Sequence, residues 1–297
     1  MEATTSASGP RGHGGDAPDP GPEPAGPPAA ASLPLPRLEE IRSGLEDAVR
    51  AAGEAIAAVA ARRLIRVGHK RGEGPVSEAD YAADAVLRRE LTALYPEAHW
   101  LSEESAQGAP LVPGEATWVV DPLDGTREFL RGLPEFGVSV GLFLDDRPVL
   151  GAVYIPGERR LLSGLPGAGG PGARLDGEPL GRLARGAAVE RVVVSRHDYE
   201  WRRLHYQIPF PVYPCGSAAV KLAHVACGRA DVYLSTGPRS VWDVAGGAAV
   251  LRAVGGDLVG FDGRPLRLSP QQVGVPPFAA GEPAACRALL RRLGARL

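Results

Sequence analysis

The chain has 297 residues, 39 glycines and 29 prolines, and a formal net charge of −2. Gly and Pro together reach roughly twice their usual share, while the near-neutral charge gives no general basic footprint for a nucleic acid polymer. No apolar run reaches the roughly 18 residues of a membrane span, and the N-terminus lacks the apolar core of a secretory signal. Three cysteines, Cys215, Cys227 and Cys286, have neither disulfide-framework nor zinc-type spacing, so the expectation is a soluble cytoplasmic protein. Of 33 basic residues only Lys70 and Lys221 are lysines. Arg is a broad fork and Lys a compact point charge, so a lysine that survives such a bias marks a place where an arginine does not fit.

Residues 1–35 hold eight prolines, six glycines and almost no large apolar side chains. Such a segment cannot offset its chain entropy by burial, and it reads as a disordered leader. A helix is expected over 37–65, where Leu38, Ile41, Leu45, Val49, Ala52, Ile56 and Val59 recur at helical spacing. The glycines at 68, 72 and 74, with Pro75, end it and form a loop. Ser77 then caps a second helix running to about Tyr95, with Asp80 in capping-box position. Beyond Pro96 the period shortens to two. Strands are expected at 99–102, 117–120, 136–143 and 149–155, the last two joined by a turn at 145–148. A Gly/Pro-rich loop follows at 164–172 and a strand at 191–195. Helices follow near 201, at 217–227, at 242–254 and at 282–296, with strands near 230–234 and 256–260. The mixture predicts layered α/β structure with mixed sheets, in an N-terminal lobe (36–190) and a C-terminal lobe (191–297).

Carboxylates cluster at the ends of these strands. Glu103-Glu104 follow Trp100-Leu101, and Asp121-Pro122-Leu123-Asp124-Gly125-Thr126 follow Trp118-Val119-Val120. Asp243 starts the helix at 242–254, and Asp80 starts an earlier one. Each has a bland explanation alone: a capped surface turn, a solvated loop, a helix-terminal acid. Together they occupy the strand ends where α/β ligands sit. Converging carboxylates repel unless a hard cation, Mg²⁺ or Mn²⁺, lies between them. If Pro122 opens a turn, Asp121, Asp124 and the Leu123 carbonyl face one point. Two metals about 4 Å apart would suit in-line phosphoryl displacement. Gly125-Thr126 opens a short helix whose amides favour an oxyanion, and Gly216-Ser217 is a second such terminus.

These residues carry a family resemblance. Trp118-Val-Val-Asp121-Pro-Leu-Asp124-Gly-Thr126-Arg-Glu-Phe129 and Trp242-Asp243-Val-Ala-Gly-Gly resemble the magnesium-dependent, lithium-sensitive phosphatases of the inositol monophosphatase superfamily. Leu101-Ser-Glu103-Glu104-Ser105 and Pro75-Val-Ser-Glu-Ala-Asp80 match in the same order. The resemblance implies a layered αβαβα sandwich and two or three Mg²⁺ per site, with Mn²⁺ as a substitute. The metals would be held by Glu103, Asp121, the Leu123 carbonyl, Asp124 and Asp243. It implies that Asp80 and Thr126, with Glu103, orient a metal-activated water. The Gly125 and Thr126 amides would hold the phosphate. It points to a small phosphate ester as partner and to a homodimer as assembly.

Within the superfamily, Ser195-Arg196-His197, Gly216-Ser217 with Lys221, and the Asp-Pro-Leu-Asp-Gly-Thr-Arg-Glu-Phe string look like the 3'(2'),5'-bisphosphate nucleotidase branch, which degrades 3'-phosphoadenosine 5'-phosphate in sulfur metabolism. The first string is one residue short of that branch's pattern, and Arg127 stands where its members usually have Lys. An inositol monophosphatase commonly carries an acid seven residues before the final Asp, and here that residue is Thr236. A second substrate phosphate would need cationic or amide donors, and Lys221, Arg196, Ser195, Gly216 and Ser217, beside Asp243, are the candidates. The alternatives are an inositol or polyol monophosphatase and, from another class, a non-catalytic phosphate-binding protein.

Overall fold

The computed structural model describes residues 33–62, 64–70, 74–105, 111–168, 172–184, 186 and 188–294. The expected leader falls almost wholly outside them. Residues Ser32–Leu297 form one compact unit.

The elements follow in chain order. Helix α1 (Leu35–Ala60) leads to a hairpin of β1 (Val67–Lys70) and β2 (Gly74–Ser77), then α2 (Glu78–Leu94). Next come β3 (His99–Ser102), β4 (Thr117–Asp124), α3 (Thr126–Leu130), β5 (Gly137–Leu144) and β6 (Arg147–Ile155). Then follow β7 (Arg160–Gly164), β8 (Ala173–Leu175), β9 (Glu178–Leu180), β10 (Val192–Ser195) and α4 (Arg196–Glu200). The remainder is β11 (Val212–Cys215), α5 (Ala218–Ala226), β12 (Val232–Ser235), β13 (Arg239–Ser240), α6 (Val241–Ala253), β14 (Asp257–Gly260), β15 (Gly274–Val275), β16 (Phe278–Gly281) and α7 (Pro283–Leu293).

Among the described residues the two large sheets divide the chain. Residues 99–180 build a seven-stranded sheet in the order β3-β4-β5-β6-β7-β8-β9, in which β3 and β4 are parallel. Residues 192–281 build a five-stranded sheet in the order β11-β10-β12-β16-β14, in which β11, β10 and β12 are parallel. The strands alternate their faces. Val193 and Tyr233 pack with α5 and α6 residues, while Val192, Val194, Val232 and Leu234 pack with Ala285, Leu289 and Leu293 of α7. On the other sheet, α1 and α2 bury Ile41, Leu45, Leu87 and Leu91 against Trp118, Val120 and Leu142. The layers are therefore α1/α2, seven-stranded sheet, α5/α6, five-stranded sheet, α7: the expected αβαβα sandwich. No helix of the described residues is long and apolar enough to cross a membrane.

The central helix layer lies very close to the sheet. A Cβ placed on Gly151 of β6 would sit 2.6 Å from the Ala249 Cβ and 2.7 Å from the Gly246 carbonyl, so bare backbone is required there. Two local expectations are corrected. The loop around residue 70 is partly a hairpin, with Val67 paired to Ser77 and Lys70 to Gly74, and α1 stops at Ala60 rather than 65. The arginines at 62, 63 and 66 offer no apolar stripe to continue it. The turn after β5 holds Asp145 and Asp146 at φ 48° and 57°, the paired left-handed geometry that matches strand twist in a tight hairpin.

Candidate active site

Parallel pairing brings several strand ends together. Ser102 of β3 is in register with Val120 of β4, so Glu103 and Asp121 leave neighbouring strands at one end. Ser195 of β10 is in register with Cys215 of β11, and Val194 with Leu234 of β12. The segments after β10, β11 and β12 thus emerge side by side, as the strand-end rule for α/β ligands expects. A single cleft of about 570 Å³ lies between the two sets. Its wall includes Glu103, Asp121, Leu123, Asp124, Gly125, Thr126 and Asp243 from the anticipated centre, and Ser195, Arg196 and Gly216 from the other sheet. Glu104, the neighbour of Glu103, does not line it.

Strand β4 does not stop at Asp121. It continues to Asp124, but its pairing with β5 is irregular between Asp121 and Asp124, opposite Ser139 and Gly137. An irregular strand, not the expected turn at Pro122, therefore brings the two aspartates to one wall. Gly125 follows at φ 99°, where a Cβ would lie 2.9 Å from the Glu135 carbonyl, so this bend needs glycine.

The carboxylates are strained by one another. Burial, then the charges of Glu103, Asp124 and Asp243, pushes the Asp121 carboxyl well above its ordinary value. Burial and the neighbouring Asp124 push Asp243 up to about 7, against a hydrogen bond from the Ser240 amide at 3.1 Å. Among the described residues no three such side chains already close around an ion. The donor set nevertheless fits a hard divalent cation: buried oxygen ligands whose mutual repulsion a cation would relieve. Cation and proton then compete. Lowering the pH through the Asp243 value of about 7 protonates that carboxylate, and the raised Asp121 adds a second proton to displace, so binding of a divalent cation is expected to weaken by about tenfold or more per pH unit below 7. Titration calorimetry checks this, and an affinity flat across that range would contradict it.

Asp80 does not line the cleft but reaches it through Thr126. Its Oδ2 accepts from the Ser77 amide and hydroxyl, both at 2.7 Å, completing the capping box of α2. Its Oδ1 lies 2.9 Å from the Thr126 hydroxyl, which is also 3.2 Å from the Leu123 carbonyl. The single hydroxyl proton serves one acceptor at a time.

The second expected anion site is not open. The Ser217 hydroxyl and Ala219 amide both donate to Asp124 Oδ2 at 2.6 Å, and the Gly216 amide donates to Glu135 at 2.9 Å. The N-terminus of α5 is filled by the protein's own carboxylates, and Ser217 positions Asp124. Lys221 is fully buried and absent from the cleft wall. Its ammonium donates to the carbonyls of Cys215, Gly216 and Ser217 at 3.0, 2.7 and 2.8 Å, with the Tyr233 ring 5.0 Å away. It has no hydrogen left for a substrate. Arg196 does line the cleft, but its Nη2 lies 2.5 and 2.6 Å from the two Glu135 oxygens. Ser195 caps α4, accepting from the Asp198 amide at 3.0 Å. The Lys70 side chain lies outside the described residues.

Asp198, Arg202 and Arg239, which the sequence did not single out, also line the cleft, as do Arg127, Glu128 and His197, which stand in the motif strings but were given no site role. Asp198 and Arg202 carry no motif of their own. Only the short helix after β10, and its pairing beside β12, bring them to the site.

Comparisons with known proteins bear on the family and the fold. Residues 37–292 match the inositol monophosphatase family. Inositol monophosphatase 1 of Solanum lycopersicum is 33% identical over 250 residues, covering 80% of this chain and 90% of that protein. The 3'(2'),5'-bisphosphate nucleotidase CysQ of Escherichia coli K12 is also 33% identical, over 75% of this chain and 92% of the relative. Among solved structures, an inositol monophosphatase from Anabaena superposes with a TM-score of 0.67 at 26% identity, covering 87% of this chain and 96% of the other. With its layered fold, its carboxylate-lined cleft and a match spanning nearly all the described residues, the chain belongs to the inositol monophosphatase family of phosphatases.

Proposed function

We propose that the protein is a 3'(2'),5'-bisphosphate nucleotidase that removes the 3'-phosphate of 3'-phosphoadenosine 5'-phosphate. The observation that carries this reading is the character of the cleft. Four arginines, at 127, 196, 202 and 239, line it, and Thr236 occupies the position where a ring-binding acid is expected. Cations there suit a substrate with a second phosphate. The inositol phosphatase reading has one observation in its favour, because the Asp198 carboxylate reaches the Thr236 hydroxyl at 3.0 Å.

Mg²⁺, two or three ions per site, is the proposed cation, with Mn²⁺ able to replace it. When bound, such a cation neutralises phosphoryl oxygens and acidifies water. The protein's own groups do the rest. Ser77 fixes the Asp80 carboxylate, and Asp80 accepts the hydrogen bond of the Thr126 hydroxyl. The Thr126 oxygen is thereby left as an acceptor toward the cleft, and it holds a water with its lone pair aimed at phosphorus. Asp80 is thus a positioning residue. The first amides of α3, at Gly125 and Thr126, have no intrahelical partner and receive phosphoryl oxygens. We place the reaction in the cytoplasm, where the three free cysteines, two of them buried, would stay reduced.

A Mg²⁺-supplemented panel tests the substrate. The expected result is at least tenfold higher kcat/KM for 3'-phosphoadenosine 5'-phosphate than for inositol 1-phosphate. Equal or faster turnover of the inositol ester would overturn the proposal in favour of the polyol reading.

A further inference from the structure

We propose that Arg202, latched to Asp198 and Thr236, receives a second phosphate on the substrate and so sets the preference for a bisphosphorylated ester. The inference rests on the bisphosphate reading given above and adds the residue that enforces it.

The latch joins two neighbouring strand ends. Asp198 lies in the short helix that follows β10, Thr236 is the residue after β12, and those strands are parallel partners. The Asp198 carboxylate is 4% exposed. It accepts from the Thr236 hydroxyl at 3.0 Å, and Arg202 Nη1 lies 3.5 Å away. Arg202 Nη1 also donates to the Thr236 hydroxyl oxygen at 2.8 Å. A buried carboxylate needs a counter-charge, and it holds this guanidinium against the cleft wall. The contacts use one nitrogen of the fork. The Arg202 side chain is 55% exposed, which leaves the other donors turned to solvent and ligand.

The other cations of the site are otherwise engaged. Lys221 is consumed by three carbonyls, and Arg196 is paired with both oxygens of Glu135. Arg239, in strand β13 four residues before Asp243, donates from Nε to the Ser235 hydroxyl at 3.2 Å, and Tyr233 with the carboxylates of Asp243 and Asp124 raises its pKa, which ties its charge to the acidic end of the cleft. Arg127 directly follows Thr126, at the end of the cleft assigned to the reacting phosphate. Arg202 alone of these combines an anchored guanidinium, uncommitted donors and a place on the five-stranded-sheet side of the cleft, away from the Asp121–Thr126 segment. The cleft, at about 570 Å³, has room for much more than one phosphate.

The test compares adenosine 3',5'-bisphosphate with adenosine 3'-phosphate, which differ only in the second phosphate. Wild type, Arg202→Gln, Arg202→Lys and Arg127→Gln are assayed with Mg²⁺, and inositol 1-phosphate is included for the wild type. The expected result is that wild type prefers the bisphosphate and that Arg202→Gln lowers this ratio about tenfold, mainly through KM, as loss of one charge-assisted pair implies. Arg202→Lys should recover part of the ratio, because charge remains but the fork is lost. A wild-type ratio kept by Arg202→Gln, or a selective loss falling on Arg127→Gln instead, would overturn the assignment while leaving the bisphosphate reading intact. A wild type indifferent to the second phosphate would overturn both. If wild type prefers the bisphosphate to adenosine 3'-phosphate yet turns over inositol 1-phosphate faster still, the nucleotidase reading falls. The Arg202 ratio then decides the assignment alone.

Discussion

Asp121→Asn is expected to lower Mg²⁺-dependent phosphate release by about a thousandfold, roughly 4 kcal/mol of transition-state stabilisation, without lowering the thermal midpoint of cation-free protein. Asp121 is 1% exposed, and its Oδ1 accepts the Leu123 amide at 3.1 Å. Asparagine has the same shape and keeps that acceptor. It removes a charge that burial and three acidic neighbours already disfavour. The loss therefore falls on function, because a neutral amide is a poor ligand for a hard cation. Steady-state kinetics and differential scanning fluorimetry on one preparation separate the two effects. A folded, fully active Asp121→Asn enzyme would contradict the assignment of this wall to a cation.

Lys221→Ala should do the reverse and damage the fold. Three carbonyls converge on one ammonium at the start of α5, in the same turn that holds Asp124. Removing a buried charge that satisfies several partners costs about 3–5 kcal/mol. In a protein of this size that lowers the thermal midpoint by about 10 °C. Lys221→Arg should not rescue it, because a planar fork cannot place its hydrogens on three carbonyls around a point. This explains why a lysine persists in a chain that uses arginine almost everywhere else. A stable Lys221→Ala protein with a raised KM for the bisphosphate alone would restore the substrate-contact reading.

These two residues mark what the sequence could and could not disclose. Asp121, Asp124, Glu103 and Asp243 were legible because each sits at an element boundary after apolar residues, a local pattern. The stripes of α1 and α2 were legible for the same reason, since Ile41, Leu45, Leu87 and Leu91 recur at helical spacing and are buried. Strands β7, β8, β9, β11 and β16 were missed, because runs of three to five residues beside glycines and prolines are too short for alternation to register. The terminus of α5 was misread because its occupant is distant: Asp124 lies 93 residues before Ser217. Local sequence shows an empty helix end, and only tertiary structure shows the carboxylate that fills it. The Asp198–Arg202–Thr236 latch was invisible likewise, since it exists only where β10 and β12 pair.

The most direct measurement is phosphate release from 3'-phosphoadenosine 5'-phosphate by chelator-stripped protein, followed as Mg²⁺ is added back. The account predicts no turnover in chelator and a saturable return of activity with Mg²⁺. Full activity in exhaustively stripped protein would contradict it.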